Sequence, residues 1–171
     1  MKTVYMMIGL PGSGKSTYCK NSLHDLPVVS NDHAYDNYMR EHDCTYTTAY
    51  QTLERRDVLG QFEGAFTKML MSGNDFIIDN TNLTARGRKK VLDVIYMAGY
   101  EPKAIYFLPM DDATHDAVIA IRSGVKDIPE SVYVGMTHAL QPPVLTEGFS
   151  EITTIRTELV DGEFIQTVVC D

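Results

Sequence analysis

The apolar run Val4-Tyr5-Met6-Met7-Ile8 ends in a glycine-rich loop and then in the start of a helix, and this junction limits what the rest of the chain can be. Gly9, Gly14, Lys15 and Ser16 stand at the spacing G-x-x-x-x-G-K-[ST], in which the backbone N–H groups of the loop converge on the phosphates of a nucleoside triphosphate. Glycines at 9, 12 and 14 let the backbone come close to the anion, and Ser13 and Thr17 complete the expected ATP-binding set. In that pattern Lys15 reaches the β- and γ-phosphate oxygens and Ser16 offers its hydroxyl oxygen to Mg²⁺. The helix that follows points its positive end at the anion. Four fixed positions match by accident in roughly 1% of chains of this size at ordinary residue frequencies.

Downstream, apolar strand-like runs alternate with helical periodicity. Val4 to Ile8 reads as the first strand, about Lys15 to Ser22 as a helix, and Leu26 to Ser30 as a short second strand with a polar mouth at Asn31-Asp32-His33. Ala34 to about Asp43 is polar and aromatic. Thr45 to Leu70 carries one long helical pattern through Tyr50, Leu53, Leu59, Phe62, Phe66 and Leu70. Asp75 to Asp79 is a buried-strand pattern that ends in a carboxylate. Thr84 is a candidate N-cap for a helix from about Arg86 to Met97, which Gly99 stops. A strand over Lys103 to Leu108 follows, then helices over Asp112 to Arg122 and Glu130 to Leu140, with a loop or lid at about 122–129 between them. Two final strands, 151–159 and 163–169, flank Asp161-Gly162, a dipeptide favoured in tight hairpins. Strands alternating with helices predict an α/β fold with a mostly parallel sheet, helices on both faces and a C-terminal hairpin, all in one domain over 1–171.

At 171 residues the chain is long enough to bury about two-thirds of its unfolded surface, so no covalent staple is needed. Cys19, Cys44 and Cys170 are odd in number and lack C-x-x-C spacing, which predicts neither a disulfide framework nor a zinc site. Without a leader-like pattern or an apolar run approaching 18 residues, the expectation is a cytoplasmic protein with no membrane partner. A net charge of −8 argues against broad electrostatic adhesion to nucleic acid, but a local basic groove remains compatible with it. Arg86, Arg88, Lys89 and Lys90 form the densest positive cluster, read either as a substrate contact or as a solvated helix face.

A phosphate loop says only that a nucleoside triphosphate binds, because switches, motors and kinases all use one. Asp32 lies at the carboxyl end of a strand, the edge at which open parallel sheets bind ligands. A phosphotransferase needs such a carboxylate to take the proton of an acceptor hydroxyl, although Asp32 also reads as the N-cap of the next helix. Asp79 closes an apolar strand at the position of the acid that holds Mg²⁺, directly or through water, and alternatively caps a helix or braces the loop. Arg122 sits where a helix breaks before a Gly-containing loop, a place suited to neutralising a phosphoryl group in transfer. Lys126 is the second candidate there, and the plain alternative for Arg122 is a C-terminal helix cation.

Several segments together resemble the polynucleotide 5′-hydroxyl kinase family, in its bacteriophage type, over roughly residues 1–152. They are Gly9 to Thr17, Val29 to Asp32, Ile78 to Leu83, Ile121 to Gly124, Ile128-Pro129 and Pro143 to Ile152. Ile-Asp-Asn-Thr-Asn-Leu and the later Glu-Gly-Phe are the discriminating pair. The resemblance implies the three-layer P-loop NTPase and kinase fold and ATP- and Mg²⁺-dependent transfer of the γ-phosphate to a nucleic-acid hydroxyl, with a 5′-OH end preferred. It also implies Asp32 as general base and Arg122 as lid arginine, with Asp79 and Asn80 in the segment that organises the site; added to the residue reading, this makes Lys15, Asp32 and Arg122 the catalytic candidates, Ser16 and Asp79 the metal candidates, and Asn80, Asn82, Arg86, Arg88 and Lys126 the substrate candidates. A hydroxymethyl group on a modified DNA base, a small nucleoside or metabolite, and a non-catalytic ATP-binding module are the alternatives. If the chain is phage-encoded, the host cytoplasm is the compartment. One departure stands out. The family's arginine just after the acid loop has no counterpart here, where Asn31, Ala34 and Tyr35 fill the neighbourhood and Arg40 is farther on.

Overall fold

The computed structural model describes residues 2–122 and 128–169. Among these, six strands form one sheet: β1 (Lys2–Ile8), β2 (Val28–Val29), β3 (Phe76–Ile78), β4 (Tyr100–Phe107), β5 (Glu151–Val160) and β6 (Glu163–Val169). Their order is β2-β3-β1-β4-β5-β6. The first five are parallel and β6 returns antiparallel to β5, as the alternating pattern and the Asp161-Gly162 turn predict. Both turn residues take positive φ, 51° and 83°, the backbone that a two-residue hairpin of matching twist requires.

Because side chains alternate along a strand, β1 divides the interior in two. Val4, Met6 and Ile8 join Phe76, Ile78, Phe66, Leu92 and Ile95 on one face. Met7 joins Ile77, Ile105, Phe107, Ile155 and Cys19 on the other. Among the described residues seven α-helices supply the outer layers and the rim: α1 (Lys15–Ser22), α2 (Asp32–His42), α3 (Tyr46–Thr52), α4 (Arg55–Ser72), α5 (Ala85–Met97), α6 (Asp112–Arg122) and α7 (Glu130–Ala139). Phe66 of α4 and Leu92 and Ile95 of α5 seal one sheet face, and Cys19 of α1 packs on the other. Each such side chain, fully buried, contributes about 1.5–3 kcal/mol of transfer free energy.

Several elements differ from the sequence expectation, among them β2, which spans only Val28–Val29 of the expected Leu26 to Ser30. Residues 32–42 form a helix, in which Ala34 alone is buried and the polar residues face outward, so few apolar positions mark its period. The long helical pattern over 45–70 is two helices. Leu53 and Glu54 turn extended, Leu53 N–H closing α3 on the Ala49 carbonyl and Asp57 N–H opening α4 on that of Glu54. β4 begins at Tyr100 rather than Lys103, since Gly99 at φ 77° ends the helical path and Tyr100 enters the core at once. Thr84 caps α5 as expected, its hydroxyl oxygen accepting from Gly87 N–H at 3.1 Å. No described helix is long and apolar enough to cross a membrane.

Candidate active site

Parallel strands β1, β2 and β3 end side by side, so the loops that leave them meet at one sheet edge. The loop after β1 is Gly9 to Gly14. Lys15 is nearly buried beneath it, and its ammonium donates to the carbonyls of Gly9 (3.1 Å) and Leu10 (2.7 Å) and to Ser13 Oγ (3.4 Å). One side chain thus draws the loop around a positive charge. Gly14 stands at φ 92°, where L side chains are strained, and a Cβ there would also collide with the Gln166 amide.

Ser16, on the first turn of α1, donates its hydroxyl to Asp79 Oδ2 at 2.7 Å. Two hard oxygen ligands therefore lie together beside the phosphate loop. This pairing fits Mg²⁺, which takes one or two protein oxygens and completes its shell with phosphates and water. Among the described residues no group of three or more His, Cys, Asp or Glu side chains is placed to hold a metal.

Asp32 opens α2 directly after β2, and its N–H donates to Ser30 Oγ at 3.1 Å. Ser30 in turn donates to the Asp79 carbonyl at 2.7 Å, and Asn31 N–H donates to Asn80 Oδ1 at 2.9 Å. The acid loop is thereby tied to the Asp79-Asn80 segment. Asn82 completes the stitching, giving its amide to the Met7 carbonyl at 2.7 Å, while Gly9 N–H donates to the Thr81 carbonyl at 3.0 Å. Gly12, Gly14, Lys15, Ser16, Thr17, Asp32, Asp79 and Asn80 all line one cleft of about 630 Å³, large enough for a nucleotide and part of an acceptor. Gly9 and Ser13 are buried in the loop beneath it.

The basic cluster behaves differently from its expected role. Arg88 is fully buried. Its Nε and Nη2 donate to the two carboxylate oxygens of Glu147 at 2.7 Å each, and its Nη1 donates to the carbonyls of Gln141, Asn82 and Leu83 at 2.9, 3.0 and 3.1 Å. It cannot reach a substrate phosphate; it locks together the Asp-Asn-Thr-Asn-Leu and Glu-Gly-Phe segments. Lys89 pairs with Asp93 on the solvent side of α5, and Arg86 and Lys90 are exposed. None of the four lines the cleft. Asn82, expected at the substrate, gives its amide to the Met7 carbonyl and lines a second, adjoining cleft. The Arg122 side chain and Lys126 lie outside the described residues, as does 123–127 of the expected lid. Arg40 is exposed and bonds Asn37 rather than entering the cleft.

Sequence reasoning missed the hairpin's part. Thr157 of β5 donates to the Ser13 carbonyl at 3.0 Å, and Gln166 of β6 donates to the Gly14 carbonyl at 3.0 Å and to Thr157 Oγ1 at 3.4 Å. The one legible signal is Thr157 itself, since it shares the inward side of β5 with Ile155 and a buried hydroxyl there needs a partner. Nothing local marks Gln166. Tyr35, Tyr46 and Tyr50 also line the cleft beside Asp32. Behind the Ser16–Asp79 pair, burial first and Asp79 second push the Cys19 thiol up to about 12.

Comparison with known proteins agrees with this frame. The family described as AAA domain matches residues 4–143. Among solved structures, a gluconokinase from Sinorhizobium meliloti 1021 aligns at a TM-score of 0.56 and 14% identity, over 90% of this chain and 82% of its own. Chaetomium thermophilum Kti12, in complex with ADP-AlF3, aligns at 0.58 and 12%, over 92% and 91%. A chain of the PezAT toxin-antitoxin system of Streptococcus pneumoniae aligns at 0.60 and 16%, over 91% and 67%. These likenesses establish a P-loop kinase fold.

Proposed function

The chain belongs to the AAA domain family, and from that premise we propose that it is an ATP-dependent phosphotransferase whose acceptor is a hydroxyl of a nucleic acid, a polynucleotide 5′-OH first. The observation that carries the reading is the sharing of one cleft by the Lys15 phosphate loop, the Ser16–Asp79 oxygen pair and the Asp32 carboxylate. A nucleotide-dependent switch needs the first two and has no use for a carboxylate held beside them.

Asp32 takes the proton of the acceptor hydroxyl as its oxygen bonds to the γ-phosphorus. The bond from that phosphorus to the β–γ bridging oxygen breaks, and ADP leaves. Lys15 and the N–H groups of the loop balance charge on the β- and γ-phosphate oxygens. Ser16 and Asp79 would hold Mg²⁺, which would supply further neutralisation of the phosphates. Arg122, at the end of α6, follows Ile121, which lines the cleft, and takes the role of lid arginine in this reading.

Incubation with γ-labelled ATP and separate pools of 5′-OH oligonucleotide, hydroxymethylated duplex, free nucleosides and polyols tests the proposal, with Lys15→Ala as the control that loses transfer. Label in the oligonucleotide pool is the expected result. Label confined to free nucleosides or polyols, or hydrolysis with no labelled product, overturns the nucleic-acid reading.

A further inference from the structure

The α2–α3 side of the cleft is built of aromatic rings. Tyr35 of α2 lies 5.4 Å from Tyr46 and 5.6 Å from Tyr50, centroid to centroid, and Tyr46 and Tyr50 are stacked at 6.3 Å with 22° between their planes. Burial raises the phenol of Tyr46, with Asp32 the next cause. The phenol of Tyr35 is likewise raised by burial, then by Tyr50 and by Asp32. The three rings line the same cleft as the Asp32 carboxylate. Tyr50 is 54% exposed, a large aromatic surface left facing the cleft rather than packed into the core.

A second cleft of about 350 Å³ continues from the first. It shares Asn31, Asn80 and Thr81 with it and is edged by Arg55. Arg55 is the first residue of α4, where the helix dipole is positive and a cation is disfavoured. Its neighbour Arg56 is balanced by Glu54 and Asp57, whereas Arg55 makes no ion pair among the described residues and its charge is felt at Tyr35. An exposed aromatic face and an uncompensated cation thus flank the candidate base in one continuous groove.

We propose that this groove is the acceptor subsite and that it takes a nucleotide unit, with the heterocycle stacked on the tyrosine wall at Tyr50 and a phosphate at Arg55, which brings the hydroxyl to Asp32. The inference rests on the phosphotransferase reading and narrows it, since a polyol has neither a flat ring to stack nor a phosphate to pair.

The test uses a short 5′-OH DNA oligonucleotide and the same oligonucleotide with an abasic 5′ residue, on wild type, Tyr50→Ala and Arg55→Gln. Both side chains are exposed, and a melting curve for each variant confirms folding. Tyr50→Ala raises KM for the intact oligonucleotide roughly five- to hundredfold, the loss of one stacked base. It adds little on the abasic one, on which wild type is already weakened. Arg55→Gln lowers the salt slope of acceptor binding by about one unit. KM for ATP stays within about twofold in both, a deliberate contrast with a general structural defect. Transfer to the oligonucleotide that proceeds with wild-type acceptor KM and salt slope in both variants overturns the subsite and leaves the proposed function standing. No transfer to any nucleotide-bearing acceptor overturns both.

Discussion

Replacing Glu147 by Gln removes the anion from a guanidinium that is fully buried and leaves its shape almost intact. Arg88 places its Nε and Nη2 on the two carboxylate oxygens and its Nη1 on three carbonyls, and Glu147 is itself only 12% exposed. Breaking such a pair from one side leaves a desolvated charge and costs about 3–5 kcal/mol. For a chain of this size 1 kcal/mol moves Tm by about 2–4 °C, so Glu147→Gln should melt roughly 6–20 °C below wild type. Circular dichroism melts and urea titrations measure this, with Asp93→Ala as the comparison. That variant removes the exposed Lys89–Asp93 pair at 2.8 Å, worth only a few tenths of a kcal/mol. In the double variant Arg88→Met, Glu147→Leu, stability returns only in part. The buried charge is gone, but the carbonyls of Asn82, Leu83 and Gln141 lose their donor, at about 1–3 kcal/mol for each that water cannot reach. A Glu147→Gln loss no larger than that of Asp93→Ala would refute the assignment of Arg88 as a buried lock and return it to the pool of surface cations.

Asp32→Asn keeps size and removes the base, so kcat should fall by about 10² to 10⁴ while nucleotide binding, measured by titration with an ATP analogue, changes little; equal losses in both make Asp32 a structural residue. Gln166→Ala deletes the donor to the Gly14 carbonyl and should weaken ATP KM about fivefold, the worth of one hydrogen bond of about 1 kcal/mol. An unchanged ATP KM shows that the phosphate loop holds its shape without the hairpin. With its thiol pushed up to about 12, Cys19 stays protonated at pH 8, and since only the thiolate is alkylated it should label with iodoacetamide far more slowly than the half-buried Cys44. Peptide mass spectrometry after timed labelling gives the comparison, and equal rates contradict the burial of Cys19 behind Asp79.

The phosphate loop, the acid at the end of β3, the acid after β2 and the hairpin turn were legible from residue order alone, because each depends on neighbours within a few positions. A glycine-rich loop, a strand ending in a carboxylate and Asp161-Gly162 carry their geometry in their own backbone preferences. Where α2 lies and how 45–70 divides were less legible, since α2 buries only Ala34 and the break at Leu53-Glu54 has no glycine or proline to mark it.

Other roles were settled only by tertiary contact. In sequence, Arg88 is one of four neighbouring cations; its burial depends on Glu147, 59 positions away, and on carbonyls from two other segments. Gln166 meets Gly14 across 152 positions. The tyrosine wall exists because α3 breaks away from α4 and turns Tyr46 and Tyr50 toward Tyr35. Periodicity reports which side of an element is apolar, whereas which polar groups share a cleft is decided by the order of strands in the sheet. Here that order sets β2, β3 and β1 side by side and brings Asp32, Asp79 and Lys15 to one edge.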